Sequence, residues 1–328
     1  MLEKNKSDIL DPLNSLKLFA LKEYFFDLTK LFESKRLPKV ILLTGEKGIG
    51  KFTLSFHLIN YIFSSNSNYS YDYENQKINE KNSFYKSILS NVCENFIYIA
   101  NENHEKTKIE DIRNIKKKFS TSSLNNMPRF TILDDVELLN INAANSLLKL
   151  IEEPSDNNYF ILINSKRKKI IETIKSRALE TKIFLSREKQ NEIFEALLKH
   201  YNIEDHFSHK FKNFTTPGRL IKFSESLKNL EIDLNTSLYD ATLILLENFK
   251  KTKNDIFLDF INFFLEIKFS EKINLEDKQF INLINTKILI TTSSNIFSTL
   301  TANEKCRTYL NILITFTSCS AIVLITKI

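Results

Sequence analysis

The sequence predicts an α/β fold: a three-layer α/β domain with a parallel sheet over residues 1–185, a small helical domain over 186–233, and an all-α domain over 234–328. Three observations predict it. Short apolar runs alternate with helix-length segments through the first 185 residues, which is the pattern of a sheet covered by helices. A glycine-rich loop joins the first run to the helix after it. Beyond Ser186 no segment has strand character, and long Phe-rich and Leu-rich helical patterns take over from about Leu234.

The expected strands are 39–44, 96–100, 129–134, 159–164 and 182–185. Each is short, β-branched or aromatic and nearly continuous in apolar character, as strands buried on both faces of a parallel sheet are. Between them, 51–63 and 142–153 have helix length. In the second, Ala144, Leu147, Leu148 and Ile151 recur at helical spacing, and Pro154 ends the run. The stretch 64–86 is rich in Ser, Asn and Tyr with little periodicity and is expected to be a surface insertion. Residues 188–200 form an amphipathic helical pattern, and Thr215-Thr216-Pro217-Gly218-Arg219 is expected to be a turn opening the next helix.

Composition narrows the class. Hydrophobic content of 42% with 26% charged residues is that of a core-forming globular chain. The three cysteines, Cys93, Cys306 and Cys319, exclude a disulfide scaffold and suggest a reducing, cytoplasmic setting. The charged N-terminus lacks the apolar core of a signal peptide. Residues 308–326 are uncharged over about the length that spans a bilayer. Seven of them are Asn, Ser or Thr, so a buried helix is the better expectation than a tail anchor. A net charge of +6 allows nucleic-acid contact without demanding it.

Only 4 of 328 residues are glycine, where about 23 would be ordinary. Three of them, Gly45, Gly48 and Gly50, fall in Gly45-Glu46-Lys47-Gly48-Ile49-Gly50-Lys51, between an expected strand and an expected helix. That is the setting of a phosphate-binding loop. Its backbone N–H groups and the helix N-terminus attract phosphate oxygens, and Lys51 reaches the terminal phosphates. A full motif ends in Ser or Thr, whose hydroxyl holds Mg²⁺, but here the position is Phe52. Thr53 is a poor substitute, because one helical step turns its side chain by about 100°. ATP or ADP binding without hydrolysis is left open by this pattern; metal-assisted hydrolysis is not favoured. At the end of a second strand, Asp134 stands where Mg²⁺ would be held, and Asp135 stands where a longer glutamate would reach the attacking water.

At this point the residues resemble a family. Asp134-Asp135-Val136-Glu137-Leu138-Leu139-Asn140, followed by Ala143-Ala144-Asn145-Ser146-Leu147-Leu148-Lys149-Leu150-Ile151-Glu152-Glu153-Pro154, is similar to a segment shared by bacterial clamp-loader ATPase subunits of the AAA+ class. Residues 159–164 continue the match through the sensor-1 strand ending at Asn164, and Thr173-Ile174-Lys175-Ser176-Arg177-Ala178 resembles the Ser-Arg-Cys motif. The likeness covers about residues 10–220, and the degraded phosphate loop looks most like the delta-prime type of DNA polymerase III; the gamma/tau type, an active ATPase, is the alternative.

The resemblance implies several roles. Arg177 would be an arginine finger entering a neighbouring subunit's ATP site, although Ala178 replaces the usual cysteine. Gly218-Arg219 would be the sensor-2 motif of a lid domain, with Arg219 either functional or a relic. The last domain would be a collar, joining gamma/tau and delta subunits in a pentameric ring that places a sliding clamp on primed DNA. Clamp-loader subunits commonly bind zinc through four cysteines after the phosphate-loop helix. Residues 64–95 hold only Cys93, so no zinc is expected. His200, His206 and His209 are expected on a helix surface rather than around a metal. The basic runs 116–118 and 166–169 suit a solvated surface, or a phosphate-facing patch towards primer–template DNA.

Overall fold

In a computed structural model, residues 11–100, 109–120, 127–154, 157–205 (apart from 167), 207, 212, 215–230, 238–252, 254 and 256–271 are described. The first unit, Met1–Glu204 with Thr216–Lys222, holds a five-stranded parallel sheet. Its strands are β1 (Val40–Thr44), β2 (Phe96–Ile99), β3 (Arg129–Leu133), β4 (Asn158–Asn164) and β5 (Leu179–Lys182), in the order β2-β3-β4-β1-β5. The helices of this unit are α1 (Lys22–Glu33), α2 (Lys51–Ser64), α3 (Ser83–Leu89), α4 (Ile109–Ser120), α5 (Ile141–Ile151), α6 (Glu172–Lys175) and α7 (Arg187–Tyr201).

The continuous apolar character of the strands follows from burial on both faces. Ile41 and Leu43 of β1, with Ile132 and Ile161, pack on one side with Phe25, Leu54, Phe56, Leu58 and Ile59 from α1 and α2. Val40 and Leu42, with Leu133, Phe160 and Leu162, pack on the other side with Ile112, Ile115, Ala144, Leu147 and Ile151 from α4 and α5. Strand side chains alternate faces, so each apolar run supplies two cores, and the result is the expected three-layer α/β sandwich.

Two expectations need correction. The last strand is Leu179–Lys182, not 182–185. It pairs on one edge only, with β1, in the register Ile41↔Leu179 to Thr44↔Lys182, so polar Glu180 and Thr181 are tolerated there. The apolar residues that suggested the later position serve other ends: Ile183 and Leu185 are buried after the strand, while Phe184 is exposed. Residues 64–86 are also more than a surface insertion. Tyr71, Ile78 and Tyr85 join the core, and Tyr71, Tyr73, Phe25, Phe26 and Tyr61 form a cluster of rings with centroids 4.7–6.0 Å apart. His57 of α2 ties this region to the N-terminal segment, its Nδ1 2.8 Å from the Tyr71 hydroxyl and its Nε2 2.9 Å from the Ser15 carbonyl. Burial pushes His57 down to about 4, so the ring is neutral at physiological pH, and Nε2–H donates to Ser15.

The helix α8 (Pro217–Leu230) begins in the first unit, and α9 (Leu238–Thr252) and α10 (Ile256–Glu271) belong to the second, Asp205–Thr215 with Phe223–Ile328. In the second unit the Phe223 and Phe260 rings stack at 4.5 Å, with Phe263 5.2 Å from Phe223. Lys212 is buried and pairs with Asp205 at 2.6 Å. The apolar segment 308–326 lies outside the described residues. Among those described, no helix is long and apolar enough to cross a membrane.

Candidate functional site

The loop from Gly45 to Gly50 leaves the C-terminal end of β1 and enters α2, where strand ends of a parallel sheet form a crevice. Gly45 N–H donates to the Asn164 carbonyl (3.1 Å), and the Asn164 side chain reaches Thr44 Oγ1 at 3.5 Å while accepting from Lys166 N–H at 2.9 Å. The ends of β1 and β4 are thereby fixed at the base of the loop, and Asn164 is buried there. Gly50 caps α2 in the left-handed region, φ +101°.

Lys51 does not project into open space. It is buried, and its ammonium donates to the carbonyls of Gly45 (2.8 Å) and Glu46 (2.7 Å). Burial lowers it from 10.5 to about 8, against the raising influence of Asp134, Asp135 and Glu137. Asp134 is raised well above the ordinary carboxylate range, first by burial and then by Asp135. Asp135 is buried in the left-handed region, φ 49°. Lys51, Asp134 and Asp135 therefore form one electrostatic cluster.

Phe52 occupies the place where a magnesium-holding hydroxyl belongs. Its ring is 8% exposed, stacks on Phe56 (5.7 Å) and lies 4.4 Å from Tyr98. The position has become core, and a phenyl group supplies no metal ligand.

The segment 215–219 closes the loop from the other side. Thr216 Oγ1 donates to the Lys47 carbonyl at 2.5 Å, and Gly218 N–H to the Gly48 carbonyl at 3.1 Å. Gly48 has φ +82°, and a Cβ there would stand 2.6 Å from Thr216 Oγ1 and 3.0 Å from Arg219 Cγ; a Cβ on Gly218 would stand 2.5 Å from the Gly48 carbonyl oxygen. Both glycines are required by this backbone approach. Arg219, half-buried, is thus brought to the loop, and the expected turn at 215–219 is where the two segments meet.

Arg177 lies elsewhere, at the end of α6. It is exposed. Nη2 pairs with Glu152 Oε1 at 2.8 Å, and Nη1 donates to the Thr173 carbonyl at 3.0 Å and lies 3.5 Å from Ser176 Oγ. Glu152 caps the C-terminus of α5. Its membership of the Glu-Glu-Pro segment was visible in the sequence, but its pairing with Arg177 was not. Nor does the sequence single out Glu137, whose Oε1 accepts from Ser165 N–H at 3.0 Å and holds the turn after β4.

Of the weaker signals, Lys117, Lys168 and Lys169 are exposed; the side chains of Lys116, Lys118 and Arg167 lie outside the described residues, as do His206 and His209. His200 makes an edge contact with Phe19 (5.5 Å). Cys93 is a half-buried free thiol, and among the described residues no group of three or more His, Cys, Asp or Glu side chains could share a metal ion.

Comparison with known proteins places the chain among replication proteins. The family described as "DNA polymerase III, delta subunit" matches residues 21–185. A DNA polymerase III subunit delta' from Buchnera aphidicola subsp. Schizaphis graminum is 27% identical over 274 residues, 79% of this chain and 80% of that protein. Another delta' subunit, from Buchnera aphidicola subsp. Baizongia pistaciae, is 28% identical over 291 residues, 82% of each chain. A DNA polymerase III subunit gamma, from subsp. Schizaphis graminum, is 25% identical over 245 residues, 75% of this chain and 61% of that protein.

Proposed function

The chain belongs to the DNA polymerase III delta-subunit family, and from that premise we propose that it is a delta-prime-type clamp-loader subunit with little or no ATP hydrolysis of its own. It lends Arg177 to the ATP site of a neighbouring subunit. The observation that carries this reading is Phe52: the position needed for a magnesium-holding hydroxyl is a core ring packed on Phe56 and Tyr98. Lys51 supports it, because its ammonium is engaged by carbonyls of the same loop. The residues present therefore fit Mg²⁺-nucleotide poorly, and no hydrolytic step is assigned to this chain.

An exposed arginine at the end of α6 suits the complementary role. In a neighbour's site, ATP and water give ADP and inorganic phosphate, and a guanidinium supplied in trans stabilises the charge on the transferring phosphoryl group without being consumed. Its planar fork can donate two parallel hydrogen bonds in a fixed geometry to phosphate, where lysine offers a compact point charge. The division 1–185, 186–233 and 234–328 assigns the nucleotide fold, the lid and the collar. Through the collar the chain would join gamma/tau and delta subunits in a cytoplasmic pentamer that opens a sliding clamp and sets it on primed DNA.

DNA-stimulated ATP turnover tests the reading in three samples: the chain alone, its complex with gamma/tau and delta, and that complex carrying Arg177→Ala. The expected order is negligible, high and strongly reduced. Robust turnover by the chain alone favours the gamma/tau alternative, and unchanged turnover with Arg177→Ala removes the finger. Phe52→Ser with Asp135→Glu asks whether a hydroxyl and a longer acid restore Mg²⁺-nucleotide binding.

A further inference from the structure

Arg177 is held before any neighbour reaches it. Its guanidinium is clamped between the carboxylate of Glu152, at the C-terminus of α5, and the Thr173 carbonyl of α6. The two contacts come from different helices and use different nitrogens, Nη2 and Nη1, so they fix the plane of the group and not merely its distance. A guanidinium carries five N–H donors. With the Ser176 hydroxyl counted, three contacts leave at least two donors for an incoming phosphate.

We propose that Glu152 is a positioning residue for Arg177: it holds the guanidinium extended from the α5–α6 corner in the orientation in which a neighbour's phosphate meets it. The proposal rests on the reading of Arg177 as a finger and adds to it the residue through which the finger is aimed. No bond to either side chain is made or broken; Glu152 acts on orientation alone.

Exposure gives the pair its character. The side chains are 36% and 46% accessible, and an ion pair of this kind contributes about 0–1 kcal/mol to stability. A contact that holds so little of the fold is suited to placing a side chain. Being weak and screened by salt, it also yields readily when a phosphate offers more negative charge. A long, four-torsion side chain without such a clamp samples many rotamers, and the lost order appears as a slower chemical step.

The test uses the assembled complex with gamma/tau and delta subunits and measures kcat and KM for ATP in the presence of primed DNA. Glu152→Ala is expected to lower kcat about three- to fivefold with KM nearly unchanged, the most that orienting by a contact of up to about 1 kcal/mol can supply. Glu152→Gln, which keeps the volume and loses the charge, is expected to fall similarly, and Glu152→Asp to recover part of the rate. Glu152→Ala with Arg177→Ala is expected to be no slower than Arg177→Ala alone, because a residue acting through Arg177 has nothing to act on once the arginine is gone.

The outcomes separate the two ideas. If Arg177→Ala lowers turnover and neither Glu152→Ala nor Glu152→Gln does, the finger stands and the positioning role is overturned. A further loss from Glu152→Ala in the Arg177→Ala background, or a loss that tracks reduced assembly on size-exclusion chromatography, makes Glu152 a structural residue and overturns the proposal. If Arg177→Ala itself changes nothing, the finger reading fails, and this proposal with it.

Discussion

The phosphate loop and the Arg177 corner lie at opposite extremes of burial. At the loop the decisive side chains are turned inward. Lys51 bonds to Gly45 and Glu46, Gly48 receives Gly218, and Phe52 fills the core. At the corner, Arg177 and Glu152 are exposed and held only by each other and by the end of a short helix. The loop's shape now serves as a joint, so its residues are constrained by packing. The corner contributes little to packing, with both side chains more than a third accessible.

That contrast can be broken by measurement, beginning with the largest effect. Phe52→Ser removes a buried ring and is expected to cost about 4 kcal/mol in urea unfolding. A cost near zero would mean that the loop's last position is not core, and the contrast would collapse. Gly218→Ala drives a Cβ to within 2.5 Å of the Gly48 carbonyl oxygen and is expected to cost about 2–3 kcal/mol by the same assay, because the obstacle is backbone and cannot rotate away.

His57 sharpens the buried side through pH. Its folded value of about 4 lies below the unfolded 6.5, so the unfolded chain binds the proton first as pH falls. The associated stability is full above about pH 6.5 and is lost on the way down to pH 4, amounting to about 2 kcal/mol between pH 7.5 and pH 5. His57→Phe should flatten that part of the stability–pH curve; an unaltered slope in the variant would assign it to other groups. At the opposite extreme, Arg177→Ala should shift stability by less than about 1 kcal/mol. A larger loss would make Arg177 a structural residue like those of the loop.

The legibility of these regions in the sequence follows the same divide. β1, β3 and β4 are legible because burial on both faces leaves continuous apolar runs, and the edge strand β2 keeps such a run because its half-buried residues pack on both cores. The fifth was displaced by three residues because its single paired edge tolerates Glu180 and Thr181, while the apolar Ile183 and Leu185 beyond it are buried without belonging to the strand. The loop was readable because scarcity made its glycines conspicuous and a strand–loop–helix order gave them meaning. What local pattern does not show is contact between distant segments: Thr216 on Lys47, Glu152 on Arg177, and the packing of Tyr71 from a loop-like stretch against Phe25 and Tyr61.

The contact between Gly48 and Gly218 also has a place in time. Thr216 and Lys47 are 169 residues apart, and closing a flexible loop of that length costs about 4–5 kcal/mol in chain entropy. Two hydrogen bonds and a close backbone approach return less than that. The joint can form cheaply only after β5 has paired with β1 and Ile183 N–H has bonded to Thr44, which leaves little more than α7 and its flanks to span. The clasp on the phosphate loop is therefore expected to be among the last contacts made in folding and among the first to open. The Gly218 amide should accordingly exchange its hydrogen well before those of β1 and β4.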